Sequence, residues 1–138
     1  MKVAFYRAEY GTWFDKLIAK ITGSEFSHCE LVFSNGTCFS ASNRDGVRFA
    51  KIDFKEHWVL IDVPLTAEQE YAMLAWCTKQ VNPKYDWLGV FLGWAGIQQS
   101  SRWFCSEICA EALMACTDQK MFKPYKSISP QLLLEALT

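Results

Sequence analysis

The fold is decided by residues 28–42, which read HCELVFSNGTCFSAS. Two β-prone runs, 28–33 and 37–42, flank the triplet Ser34-Asn35-Gly36. An Asn-Gly pair between two such runs is a strong short-range signal for a β-hairpin. The stretch therefore predicts two antiparallel strands, the first of which begins at His28.

The length of the hairpin loop determines which side chains accompany His28, because a one-residue change of register turns a strand's side chains to the other face. A three-residue loop places His28 opposite Ser42 and next to Ser40. A two-residue loop places it opposite Asn43 instead. Glu30 shares the face of His28 along its own strand, because side chains alternate with a period of two.

Outward from the hairpin, apolar periodicity and capping residues predict the other elements. Thr12 and Thr66 each begin a capping box, and Ser129 precedes a proline at the first helical position. Strands are predicted at 3–6, 47–52 and 58–63, and helices at 12–21, 66–81, from Cys105 onward and after Ser129. The simplest arrangement is an antiparallel meander packed against helices, which makes residues 1–138 a single α+β domain.

Composition excludes several classes of function. The chain has 138 residues, is 51% hydrophobic and carries a formal charge of −1, so no global field favours nucleic acid. The first apolar run carries charges and lacks the pattern of a signal peptide, which predicts a cytoplasmic protein. The most apolar stretch, 87–97, is too short for a membrane span, which needs about 20 residues.

One of the six cysteines differs from the others in its predicted position. Cys38, Cys77, Cys109 and Cys116 are predicted to be buried, reduced thiols, because unpaired cysteine behaves as a small hydrophobic residue. Cys105 is predicted at or next to the first turn of its helix. There the unpaired N–H groups and the helix dipole favour a thiolate, which makes Cys105 a candidate nucleophile.

A cysteine nucleophile needs a base, and the chain has only two histidines. His57 lies in a charged turn, whereas His28 begins a strand. His28 is therefore the better candidate.

Several short blocks of sequence resemble the YiiX-like family, a circularly permuted branch of the papain-like, NlpC-type cysteine hydrolases. Their order, with the histidine strand before the cysteine helix, matches that family. The blocks are Phe26-Ser27-His28-Cys29-Glu30-Leu31-Val32-Phe33, Cys38-Phe39-Ser40-Ala41-Ser42, Gly46-Val47-Arg48, Pro83-Lys84-Tyr85-Asp86-Trp87, Trp103-Phe104-Cys105-Ser106-Glu107 and Ser129-Pro130-x-x-Leu133.

The resemblance implies a permuted papain-like fold and a cysteine peptidase or amidase that cleaves amide or ester bonds in peptides or lipids without a cofactor. Cys105 would attack the acyl carbon and His28 would carry the proton. Tyr85 would lie beside the nucleophile, and Glu107 matches the family's Cys-Ser-Glu. The third catalytic position, often acidic in the family, aligns with Ser40, which cannot supply a negative charge to an imidazolium.

Two other functions stay open. A catalytically silent module that binds a peptide or lipid would explain the missing acidic residue at Ser40. A metal site could use His28, Cys29, Cys105 and Cys109, but their spacing is unlike that of zinc sites, so no metal is expected.

Overall fold

The computed structural model describes residues 1–42, 45–81, 101–117 and 128–138. The strands are β1 (Lys2–Arg7), β2 (Phe26–Val32), β3 (Cys38–Ser42), β4 (Gly46–Ala50) and β5 (Trp58–Asp62). The helices are α1 (Trp13–Thr22), α2 (Ala67–Gln80), α3 (Ser101–Cys116) and α4 (Pro130–Leu137), with a 3₁₀ turn at Ala8–Tyr10. Within these ranges, no helix combines the length and apolar character needed to cross a bilayer.

The five strands form one antiparallel sheet in the order β4-β3-β2-β1-β5. The α+β class is therefore confirmed. The simple meander is wrong for the last strand, which pairs with β1 at the far edge of the sheet instead of with β4. The connecting residues 51–57 carry Ile52 and Phe54, which pack with Trp58 against a second small core on the other sheet face. Burying these two side chains takes the chain across the sheet.

The hairpin between β2 and β3 has a three-residue loop. The N–H of Phe33 donates to the carbonyl of Thr37 at 2.9 Å, and only Ser34-Asn35-Gly36 lies between them. Gly36 has a φ of 78°, the left-handed conformation that such a loop requires at its last position. The observed pairs, Leu31 with Phe39 and Val32 with Cys38, fit the register of the three-residue loop and not that of the two-residue loop.

The main core lies between one face of the sheet and α3. Alternate strand residues point toward this helix, as the two-residue period requires. α3 faces the sheet with residues that are spaced one helical turn apart. Helices α2 and α4 pack against α3. The central fully or nearly fully buried side chains are Val3, Phe5, Cys29, Leu31, Phe39 and Ala41 from the sheet, and Cys105, Ile108, Cys109, Ala112 and Leu113 from α3.

Three predicted helix starts are confirmed. Thr12 and Thr66 each cap their helix in a reciprocal capping box. The Ser129 hydroxyl accepts a hydrogen bond from the first turn of α4, with Pro130 at the first helical position. Each such cap contributes about 1 kcal/mol.

Candidate active site

Helix α3 brings Cys105 close to His28 of β2, near enough for each to shift the pKa of the other. Cys105 is fully buried, whereas 24% of the His28 side chain is exposed. The two residues singled out from the sequence as a nucleophile and its base therefore meet in space.

An irregularity in β2 lies immediately before His28. Tyr6 of β1 is opposite His28, but the next residue, Arg7, is opposite Phe26. Ser27 is thus an extra residue on β2, which is a β-bulge. It allows Phe26 and Cys29 to be buried in the same core although strict alternation would put them on opposite faces. Bulges increase local twist and redirect side chains, and this one immediately precedes His28.

The main chain beside Cys29 is bonded to side chains at this point. The hydroxyl of Ser40 donates to the carbonyl of Cys29 at 2.7 Å. The main chain of Cys29 also lowers the pKa of the Cys105 thiol, which places the two groups close together. The sulfur therefore lies against the backbone of β2, within reach of the ring on the preceding residue.

The environment pushes the two pKa values in opposite directions. Burial raises the pKa of Cys105, but the hydrogen bond from Cys29 and the charge of His28 outweigh it and hold that pKa well below 9.0. Burial lowers the pKa of His28, but Cys105 and then Glu30 raise it to about 10. Both shifts favour the thiolate–imidazolium form of the pair over the form with a neutral thiol and a neutral ring.

Glu30 and Arg48 continue this alternation of charge. His28 Nε2 lies 2.7 Å from Glu30 Oε1, and Glu30 is fully buried. Arg48 binds the same carboxylate with two nitrogens, Nη2 at 2.6 Å from Oε1 and Nη1 at 3.0 Å from Oε2. Burial raises the pKa of Glu30, but His28 and Arg48 outweigh it and keep the carboxylate ionised. We call Cys105, His28, Glu30 and Arg48 the charge row.

Glu30, not Ser40, is the group that contacts the imidazole. The hydroxyl of Ser40 donates to the carbonyl of Cys29, and this is its one side-chain hydrogen bond to the described residues. The carboxylate two residues along from His28 reaches Nε2 because it lies on the same strand face. The two-residue period of a strand already predicts that Glu30 shares a face with His28. The resemblance instead aligns the third catalytic position with Ser40.

α3 begins at Ser101, so Cys105 directly follows its first turn, and the predicted place at or next to that turn is confirmed. The influence of helix-end N–H groups falls off within the first turn. The groups that lower the pKa of the Cys105 thiol are Cys29 and His28.

Of the other predicted site residues, Tyr85 and Asn43 lie outside the described residues, as does the apolar stretch 87–97. Glu107 is half-buried in α3, and together with burial it raises the pKa of Glu111. His57 packs its ring near Tyr10, away from the charge row.

All six cysteines are reduced, and Cys38, Cys77 and Cys109 are buried as predicted, whereas Cys116 is half-buried. Within the parts of the chain that the structure describes, no group of His, Cys, Asp or Glu side chains is arranged to hold a metal ion.

Comparison with models of protein families, with curated proteins and with solved structures finds no match for this chain. What the site does is therefore inferred from its own residues.

Proposed function

We propose that the chain is a cysteine hydrolase of amide or ester bonds on a permuted papain-like fold. Cys105 is the nucleophile and His28 is the general acid and base. The observation that carries this proposal is the proximity of Cys105 to His28, which lowers the pKa of the thiol and raises the pKa of the imidazole. A buried thiol without a chemical role has no need of such a partner.

The residues present can carry a complete hydrolytic cycle. The Cys105 sulfur attacks the acyl carbon, and the imidazolium of His28 protonates the departing amine or alcohol. The neutral ring then takes a proton from water, whose oxygen attacks the thioester. The acid product leaves, Cys105 departs as a thiolate, and His28 is again protonated.

Glu30 acts in this cycle as a positioning residue. Its contact with Nε2 makes Nδ1 the ring nitrogen that would exchange a proton with Cys105. Its negative charge also favours the imidazolium form. Arg48 in turn fixes the orientation of the carboxylate with two hydrogen bonds.

Access to the pair favours a narrow acyl group. Cys105 is fully buried, and His28 is the member of the pair that reaches solvent. We infer that a substrate approaches past the exposed edge of the ring. The resemblance to the YiiX-like family suggests peptides or lipids as the source of that acyl group, with Tyr85 beside it.

The alternative, a catalytically silent binding module, was supported by the absence of an acidic residue at position 40. Glu30 supplies a carboxylate to His28 from another position. This contact favours the hydrolase over the silent module.

The test is activity profiling of the wild-type protein across peptide, ester and lipid libraries, beside Cys105→Ala. Cys116→Ala is the matched control, because it removes a half-buried thiol of the same helix. We expect Cys105→Ala to lower turnover by roughly 10³-fold or more, and Cys116→Ala to leave it unchanged. Equal turnover in wild type and Cys105→Ala would refute the proposed nucleophile.

A further inference from the structure

A stripe of four exposed side chains runs along helix α1. Trp13, Lys16, Leu17 and Lys20 have the spacing i, i+3, i+4 and i+7, which places them on one face of the helix. All four are exposed, and the exposed fractions of the two apolar members are 76% for Trp13 and 44% for Leu17. The hydrolytic cycle uses none of these residues.

Exposed apolar side chains are concentrated in this part of the molecule. Of the six large apolar residues that are exposed in the described parts of the chain, three lie between positions 10 and 17, namely Tyr10, Trp13 and Leu17. Single apolar side chains are ordinary on a protein surface, whereas a cluster of them indicates a contact surface.

The two lysines of the stripe carry charges that no neighbouring acid neutralises. Among the described residues, no carboxylate lies within ion-pair distance of Lys16 or Lys20. Asp15, the acid of this helix, is engaged in the capping box, where the N–H and hydroxyl of Thr12 donate to its Oδ2 at 2.7 and 2.5 Å. The stripe therefore combines apolar surface with free positive charge.

We propose that this stripe docks the protein onto the surface of an anionic lipid bilayer. Trp13 and Leu17 enter the boundary between headgroups and acyl chains, a depth that suits tryptophan in particular. Lys16 and Lys20 extend past them and place their charges among the headgroups. With ten residues, α1 lies in the plane of this boundary, since a helix that crosses a bilayer needs about 20.

Charge favours a lipid surface over a second copy of this chain as the occupant. A two-fold contact sets the same patch of both copies face to face, so the unpaired lysines of one copy would meet those of the other. Anionic headgroups carry the opposite charge and pair with the lysines. Because the formal charge of the whole chain is −1, this attraction depends on where the lysines lie and not on the net charge.

Docking through α1 goes beyond the proposed hydrolysis and does not depend on it. Helix α1 packs against β2, the strand that carries His28. A protein docked through α1 would therefore hold this strand near the lipid surface.

The experiment measures flotation of the full-length protein with vesicles of phosphatidylcholine, either pure or with about 30% phosphatidylserine. We expect the wild type to bind the anionic vesicles at least tenfold more tightly than the neutral ones, and molar salt to weaken this binding because it screens charge.

The apolar part of the stripe is tested by the double variant Trp13→Ser with Leu17→Ser. Its matched control is Tyr71→Ser with Leu132→Ser, which removes side chains of similar exposure, 75% and 49%, from two other helices. We expect the first pair to weaken binding to anionic vesicles at least tenfold and the control to bind as the wild type does. Circular dichroism checks that each variant keeps its helix content.

The charged part is tested by Lys16→Glu with Lys20→Glu. The matched control, Lys55→Glu with Lys79→Glu, makes the same change of net charge at exposed lysines elsewhere, and Lys20 and Lys79 each lie in the last turn of a helix. A lysine near an anionic membrane contributes about 1 kcal/mol, or about fivefold in affinity. We therefore expect the first pair to lose at least tenfold in binding and the control to lose less than about twofold.

Three results overturn the proposal. The first is a wild type that does not float with anionic vesicles, and the second is equal binding by the stripe variants and their controls. The third is a wild-type dimer that Trp13→Ser with Leu17→Ser converts to a monomer in sedimentation, without vesicle binding, which would make a second copy the occupant. Flotation reads no hydrolysis, so the docking surface and the hydrolase fail separately.

Discussion

Replacing Glu30 with glutamine tests whether the charge row holds Cys105 as a thiolate. Glutamine keeps the shape of the side chain but removes its charge. It can still offer one oxygen to His28, but its amide N–H₂ then faces a nitrogen of Arg48 where the second carboxylate oxygen stood.

The size of the effect follows from the short distances. A unit charge about 4 Å from the imidazolium, at an effective dielectric constant of about 20, contributes about 4 kcal/mol, or about 3 pKa units. Water at the exposed quarter of the ring reduces this, so we expect the pKa of His28 to fall by about 2 units. Leaving Arg48 without its buried partner should also lower the free energy of unfolding by about 3 kcal/mol.

The assay measures alkylation of Cys105 by iodoacetamide as a function of pH, read for that residue alone by peptide mass spectrometry. Ser40→Ala is the matched control, because it removes the other residue considered as the partner of His28. We expect Glu30→Gln to move the step of the labelling profile at which His28 loses its proton down from about pH 10 by about 2 pH units. Ser40→Ala should keep the wild-type profile.

The reasoning is refuted if Glu30→Gln keeps the wild-type pH profile while Ser40→Ala shifts it. Unfolding curves on the same samples confirm that labelling is measured on folded protein.

Three further predictions concern the same region. His28→Ala should leave the fold intact but slow labelling of Cys105 at neutral pH by at least tenfold, since the thiolate loses its counter-ion; an unchanged rate in site-resolved alkylation would contradict this. In denaturant titrations the pair's stabilisation should be flat between pH 6.5 and 9.0, because the His28 contribution is lost as pH rises toward about 10 and the Cys105 contribution is lost as pH falls. It should decline by up to about 1.4 kcal/mol per unit outside that window, and a steep slope at pH 7–8 would disprove the ion pair. Ser27→Ala should raise the free energy of unfolding by about 1 kcal/mol, because the described residues offer its buried hydroxyl no hydrogen-bond partner; a lower melting temperature would show that the hydroxyl is satisfied.

Local chemistry made much of the fold readable from the sequence. The Asn-Gly triplet gave the hairpin, and the caps at Thr12, Thr66 and Ser129 gave three helix starts, because each depends on residues a few positions apart. The contact of His28 with Cys105 was foreseen because thiolate chemistry needs a base and the chain offers few.

The features that were missed depend on distant contacts. β5 pairs with β1 because the segment before it packs across the sheet, and hairpin logic alone favours the neighbouring strand. Arg48 reaches Glu30 from β4, two strands away, which no local pattern reveals. The helix was predicted from Cys105 onward because the apolar stripe begins there, although the backbone becomes helical at Ser101.

The charge row has one further consequence, for encounter rates. Its two cationic and two anionic groups cancel, so the site projects little electric field into solution. Molecules then reach it by unsteered diffusion, at a rate that changes little between dilute buffer and physiological salt. Selectivity among acyl substrates would accordingly depend on the shape of the entrance and on apolar contacts there.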